Sequence, residues 1–251
     1  MICVALDTTT RDGSVALVVD DRVVDERRGD VSRSHAERLP AELTDVATAH
    51  GIAIADVDLF AVAAGPGSFT GLRIGIATVQ GLAFVERRSG VAVSALDALA
   101  HLAAIDLDPG ALVSSWIDAQ RGDVYAALYR VADAPPFAPE RLTTISEPVV
   151  GDPAEIASTW IQRSTTPVVC VGSGAIRYES IAGERLKATR VGGAPLLAGA
   201  IGRLAIVRAE RGEAVHPAAI QPLYVRRPDA EIDRDRRRLT TTDTKDRTNT
   251  C

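Results

Sequence analysis

Two short stretches hold the residue types that chemistry would need. Asp7-Thr8-Thr9-Thr10 follows a run of apolar residues, Ile2 to Leu6. A carboxylate at a strand end suits a hard divalent cation, and hydroxyls and free backbone N–H groups behind it suit phosphate oxygens. The competing reading is a hairpin turn closed by its own side chains. The second stretch, Gly65-Pro66-Gly67-Ser68-Phe69-Thr70-Gly71, joins another apolar run to a helix-like segment. Its glycines permit a sharp turn, Ser68 or Thr70 can cap the helix, and a helix start can take an anion. Pro66 and Thr70 stand where a G-x-S-x-G nucleophile elbow requires glycine, so Ser68 is not expected to be a nucleophile.

Other reactive side chains are sparse. His35, His50, His101 and His216 form no i, i+4 pair, and no H-E-x-x-H string occurs, so no metal site is expected. The only lysines are Lys187 and Lys245, and neither follows a glycine loop as a P-loop requires. Cys3, Cys170 and Cys251 are odd in number and far apart; the first two lie in strand-like runs and read as buried free thiols.

The elements that must position these groups follow from periodicity. Residues 2–7, 14–19 and 22–28 read as three strands with short turns, Asp20-Asp21 marking one of them. A helix is expected over about 34–50, with Leu39, Leu43, Val46 and Ala47 on one face. A continuous apolar run at 59–64 reads as a strand buried on both sides. After the glycine stretch come a long helix over about 70–88, a strand at 91–93 and a helix over 95–105. The second half opens in the same way: a strand at 111–117 ends on Asp118, a polar turn follows, and 124–129 reads as the return strand. That repeat of strand, carboxylate and hairpin points to duplication of one β-rich unit. Helices over 153–162 and 195–211 flank a strand at 167–171, which Gly172-Ser173-Gly174 closes.

The long helix has few polar side chains between Gly71 and Val85: Arg73, Thr78 and Gln80. A helix apolar on most faces needs cover from more than one side. Leu72, Ile76, Val79 and Ala83 are taken as the face left for a neighbour, with Gly71 and Gly75 allowing close approach. That neighbour is either the chain itself or a second subunit.

Composition bounds the rest. The 251 residues, 46% of them hydrophobic and 24% charged, suit one large or two small globular domains. A formal charge of -5 argues against a protein whose task is to coat nucleic acid. No apolar run reaches the ~18 residues of a membrane span, and no basic segment precedes an apolar one at the start, so a cytoplasmic protein without membrane contact is expected. Residues 228–251 hold almost no apolar side chain beyond Ile232 and Leu239 and read as a disordered tail; Arg236-Arg237-Arg238 within it reads as solvated charge.

Taken together, three blocks resemble the TsaB (YeaZ) family: Asp7 to Thr10 with its meander, the whole of Gly65 to Gly75, and Asp118-Ala119-Gln120-Arg121-Gly122-Asp123-Val124-Tyr125. Ser34-His35-Ala36-Glu37-Arg38-Leu39-Pro40 and Gln221 to Arg226 are similar to it as well. The resemblance implies an α/β fold of two tandem actin-like (ASKHA, ribonuclease-H-like) subdomains, drawn here as 1–105, which would also dimerise, and 106–227. It implies a non-catalytic scaffold that activates TsaD, the paralogue that makes threonylcarbamoyladenosine beside the tRNA anticodon. Further implied partners are a TsaE-like ATPase and, in isolation, a second copy of the chain; tRNA would be met only indirectly. The implied partner interface comprises His35, Arg38, Leu39, Leu72, Ile76, Val79 and Ala83. Asp7, Thr8, Thr9, Gly172 and Gly174 would be remnants of a nucleotide site, and Gly65, Gly67, Ser68 and Gly71 the family's glycine loop. No cofactor of its own is expected beyond weak ATP or ADP binding with magnesium. TsaD-like enzymes carry H-x-x-x-H, whereas Leu39 stands four residues after His35. The alternative is an independent actin-fold ATPase or phosphotransferase using Asp7 and the turns at 8–10 and 172–174; a peptidase would need a nucleophile or metal that the sequence does not mark.

Overall fold

In the computed structural model, which describes residues 1–161 and 168–225, the opening apolar run forms β1 (Ile2–Asp7). It pairs antiparallel with β2 (Ser14–Val19), and β2 with β3 (Arg22–Arg28). β4 (Leu59–Gly65) and β5 (Ser89–Ser94) add in parallel on the other side of β1, giving the order β3-β2-β1-β4-β5. The second half builds the same sheet again. β6 (Leu112–Asp118), β7 (Val124–Val131) and β8 (Leu142–Gly151) form the meander, and β9 (Val168–Val171) and β10 (Ala188–Gly192) extend it in parallel. Its order, β10-β9-β6-β7-β8, is that of the first sheet read from the other edge. The duplication read from Asp7 and Asp118 is therefore a duplication of topology, and the fold is α/β with two tandem actin-like subdomains.

Strand alternation decides which helices cover which face. On one face of the first sheet Val4, Leu6, Val15, Leu17, Phe60 and Val62 pack under α1 (His35–Thr48) and α2 (Phe69–Val85). The opposite face carries smaller side chains, Cys3, Ala5, Ala16, Ala61 and Ala63. They admit α7 (Ala198–Glu210) and α3 (Ala95–Ala103), and α3 also packs against β6 and β7 of the second sheet. A Cβ on Gly202 would meet Val18 and Ala5, so α7 lies close on this small-residue surface. The outer face of the second sheet is covered by α4 (Pro153–Ile161), α5 (Ser173–Arg177) and α6 (Glu179–Glu184).

Part of the stretch drawn as 106–227 packs on the first sheet. α7 belongs by contact to the first sheet, Val215 bridges to Gly90, and the Leu223 N–H donates to the Ala64 carbonyl at 2.8 Å. The alanine-lined face of the first sheet needs a cover, and local periodicity does not reveal which distant helix supplies it. Cys3 and Cys170 are buried free thiols. The expected tail at 228–251, with Cys251, Lys245 and the triple arginine, lies outside the described residues. Among the described residues, no helix is long and apolar enough to cross a membrane.

Candidate functional site

The two stretches that opened the sequence reading form one packed unit. Asp7 is buried, and its Oδ1 accepts both the Thr9 N–H at 2.8 Å and the Thr9 hydroxyl at 2.7 Å. Burial raises the Asp7 carboxyl above its ordinary range, and the two Thr9 bonds oppose that. Thr8 and Thr9 are buried as well. The Ser68 N–H donates to the Thr9 carbonyl at 2.9 Å, and Ser68 Oγ caps α2 by accepting from the Gly71 N–H. A Cβ at Gly67 would clash with Thr9, and one at Gly71 or Gly75 with Thr8. Glycines spaced by four thus form the groove in which the Asp7–Thr10 turn lies. Gly71 and Gly75 admit this turn, not a neighbouring helix as the spacing suggested.

The matching turn of the second subdomain is also closed by its own side chains. Asp118 accepts from the Gln120 N–H at 3.0 Å and pairs with Arg177 at 2.7 Å, and its N–H donates to Ser173 Oγ at 3.1 Å. Gly172, at φ 108°, would place a Cβ against the Trp116 carbonyl and Leu99. Gly174 lies against Val124 and the backbone of Trp116 and Ile117. The fold brings Asp7 and Thr9 to a shared cavity with Gly172 and Ser173, but its volume is about 70 Å³, against the roughly 300–1,000 Å³ of ordinary ligand pockets. The neighbouring α7 start is occupied too: Ser14 Oγ accepts from the Ala198 N–H, and Glu26 Oε1 from the Gly199 N–H at 2.8 Å. Among the described residues no cluster of three His, Cys, Asp or Glu side chains could hold a metal.

The helix faces require a correction. Leu72, Ile76, Val79 and Ala83 are buried, with Ile76 at 5% and Val79 at 0% exposure, and the last three pack with Leu39, Leu43 and the first sheet. Arg38 is also inside: it donates to the Asp12 carbonyl and pairs with Glu42. Of the residues chosen for a partner interface only His35 retains partial exposure. Its buried Nε2 has no partner among the described residues, and burial holds its pKa below the ordinary histidine range. The outward stripe of α2 lies one residue further on. Ala77, Gly81 and Val85 recur at intervals of four, Phe84 stands beside them, and Phe84 and Val85 are 67% and 73% exposed. On α1, Ala36, Pro40 and Ala41 are exposed. Two such stripes on one greasy helix cannot be ranked by spacing alone.

Between the two meander turns the surface opens into a cleft of about 1340 Å³. Its walls are the turn after β1, the loop before α1, the start of α2 and the turn after β6. At its edge Arg73 donates to the Tyr224 hydroxyl at 3.0 Å and lies 4.1 Å from the centre of the Phe69 ring.

With this geometry in hand, comparison with known proteins decides the family. Residues 29–159, more than half of the chain, match the family described as "TsaD: tRNA N6-adenosine threonylcarbamoyltransferase". The Escherichia coli "tRNA threonylcarbamoyladenosine biosynthesis protein TsaB" is 33% identical over 174 residues, which cover 69% of this chain and 72% of that relative. The chain belongs to the TsaB (YeaZ) family. The Bacillus subtilis TsaB is 29% identical over 68% of this chain and 71% of its own. Among solved structures, YeaZ from Pseudomonas aeruginosa is 30% identical with a TM-score of 0.70, covering 89% of this chain and 99% of that one.

Proposed function

We propose that this chain is the non-catalytic subunit that binds and activates a TsaD-type transferase in making tRNA threonylcarbamoyladenosine. The observation that carries the reading is the outward face of α1 and α2. Ala77, Gly81, Phe84 and Val85 of α2 are exposed, as are Ala36, Pro40 and Ala41 of α1, and small residues let another helix pair come close. An interface of this kind buries well over ~1,000 Å² around an apolar centre. The catalytic paralogue is a duplicated fold of the same descent, so its equivalent helices are the matching surface. The same face serves a homodimer when the chain is alone, and a TsaE-like ATPase joins the assembly without needing it.

The state of the two turns supports a subunit without its own chemistry. The Asp7 carboxylate is engaged by Thr9, and Asp118 by Gln120 and Arg177. We therefore assign no resident cofactor and no catalytic residue, in preference to an independent ATPase. Reconstitution tests this reading. A TsaD-type protein supplied with its substrates and tRNA should modify tRNA only when this chain is added. Full modification without it, or ATP turnover by this chain alone that Asp7→Ala abolishes, would contradict the reading.

A further inference from the structure

A net charge of -5 conceals a local excess of the opposite sign. The 1340 Å³ cleft is lined by Arg11, Arg33, Arg73 and Arg121, drawn from four separate segments. The only carboxylate among its described lining residues is Asp118, which is paired with Arg177. Serine and threonine side chains fill much of the remaining wall, and the unpartnered Nε2 belongs to His35, also in the wall. Phe69 and Tyr224 stand at the edge, 38% and 42% exposed, with ring centres 5.5 Å apart. In sequence, Val225 at the lip is followed by Arg226 and Arg227.

Cations spread over several segments match an extended polyanion better than a single phosphate. The cleft is larger than the roughly 300–1,000 Å³ that compact ligands occupy. Exposed rings with an interleaved guanidinium are a stacking surface for a planar base, which an acidic peptide would not use. We propose that this cleft holds a single-stranded segment of RNA, with phosphates on Arg11, Arg33 and Arg121 and a base on the Phe69–Tyr224 platform. The choice of the unpaired anticodon loop of tRNA as that RNA rests on the function proposed above, but the residues are different from those of the α1/α2 face. Contact with tRNA is then direct, where the sequence reading expected it only through the partner.

The test uses the full chain and a labelled, unmodified anticodon stem-loop transcript, followed by fluorescence anisotropy at several salt concentrations. It is run on the chain alone and on the chain saturated with a TsaD-type protein. In at least one of these settings the wild type should contribute affinity that falls with salt. The double variant Arg11→Glu/Arg33→Glu should weaken binding about tenfold or more, and reduce the slope of log K against log salt by about 1.4, roughly 0.7 for each lost phosphate contact. Phe69→Ala/Tyr224→Ala should weaken binding by about fivefold or more with little change of slope. Val85→Glu should lose the partner and keep the RNA affinity of the chain, which separates this proposal from the previous one. Absence of salt-dependent affinity in both settings would overturn it. So would an arginine variant that keeps its RNA affinity, and one that does so while losing the protein partner would make the cleft a protein-docking surface.

Discussion

Replacing Gly71 by alanine tests the packing of the glycine ladder. The added methyl would lie closer than 3.0 Å to the Thr8 carbonyl oxygen, and Thr8 is wholly buried under α2. A backbone oxygen cannot rotate aside, so either the helix or the Asp7–Thr10 turn must shift. Overpacking of this kind costs ~1–3 kcal/mol, and the better helix propensity of alanine returns ~1 kcal/mol, leaving a net loss of about 0–2 kcal/mol. Gly81 is the internal control, because it lies in the same helix and a Cβ there meets nothing within 4 Å. Gly81→Ala should gain ~0.4–1 kcal/mol. At ~2–4 °C per kcal/mol for a domain of this size, the melting temperatures of the two variants should differ by about 1–12 °C, with Gly71→Ala the lower. Differential scanning calorimetry at low protein concentration, where self-association contributes least, reads this directly. Equal melting temperatures would refute the claim that the glycine spacing exists to seat the helix on the turn.

Other outcomes follow from the same interior. His101 is stacked on Phe137 and held to a pKa of about 4 by burial and by the charges of Arg208 and Arg141. The folded protein therefore stays unprotonated at this site where the unfolded chain takes up a proton. The stability His101 supports is present above pH 6.5 and is lost as pH falls toward 4; the loss is ~3 kcal/mol at most, and His101→Gln should flatten that part of a urea-midpoint profile. Ser14→Ala removes the acceptor for the Leu197 and Ala198 N–H groups at the start of α7 and should cost ~1–2 kcal/mol in chemical denaturation. Ile76→Glu buries a charge in the core beneath α2 and should leave no folded monomer by circular dichroism, since such changes exceed ~4 kcal/mol.

Much of the architecture was legible because local rules and tertiary needs agree. The β1–β3 meander is announced by its short apolar runs and by Asp20-Asp21, and the two strand-end carboxylates announce the duplication that the sheet orders repeat. Three things were hidden. β8 carries Pro148 and polar residues, which an edge strand tolerates and a sequence reading takes for a loop. α5 and α6 are too short to show a period. The return of α7 and of residues 215–223 to the first sheet is non-local, over a small-residue surface that α3 shares with α7. At the candidate site, spacing alone does not rank the two faces of α2. Ile76 and Val79 line the core because the first sheet presents Leu6, Val62 and Phe60 beneath them. The stripe one residue on is left to solvent, and the arginines of the cleft lie too far apart in sequence to read as one group.

The central claim is that the outward stripe of α2 exists to be covered by a sister subunit. The most direct measurement is the affinity of a purified TsaD-type protein for the Val85→Glu variant, by isothermal titration calorimetry. Val85 is largely solvent-exposed, so the variant should fold and melt like the wild type. A charge at the centre of an apolar interface should weaken binding at least ~30-fold, equivalent to ~2 kcal/mol or more. A folded Val85→Glu protein that binds the partner with wild-type affinity would contradict the account.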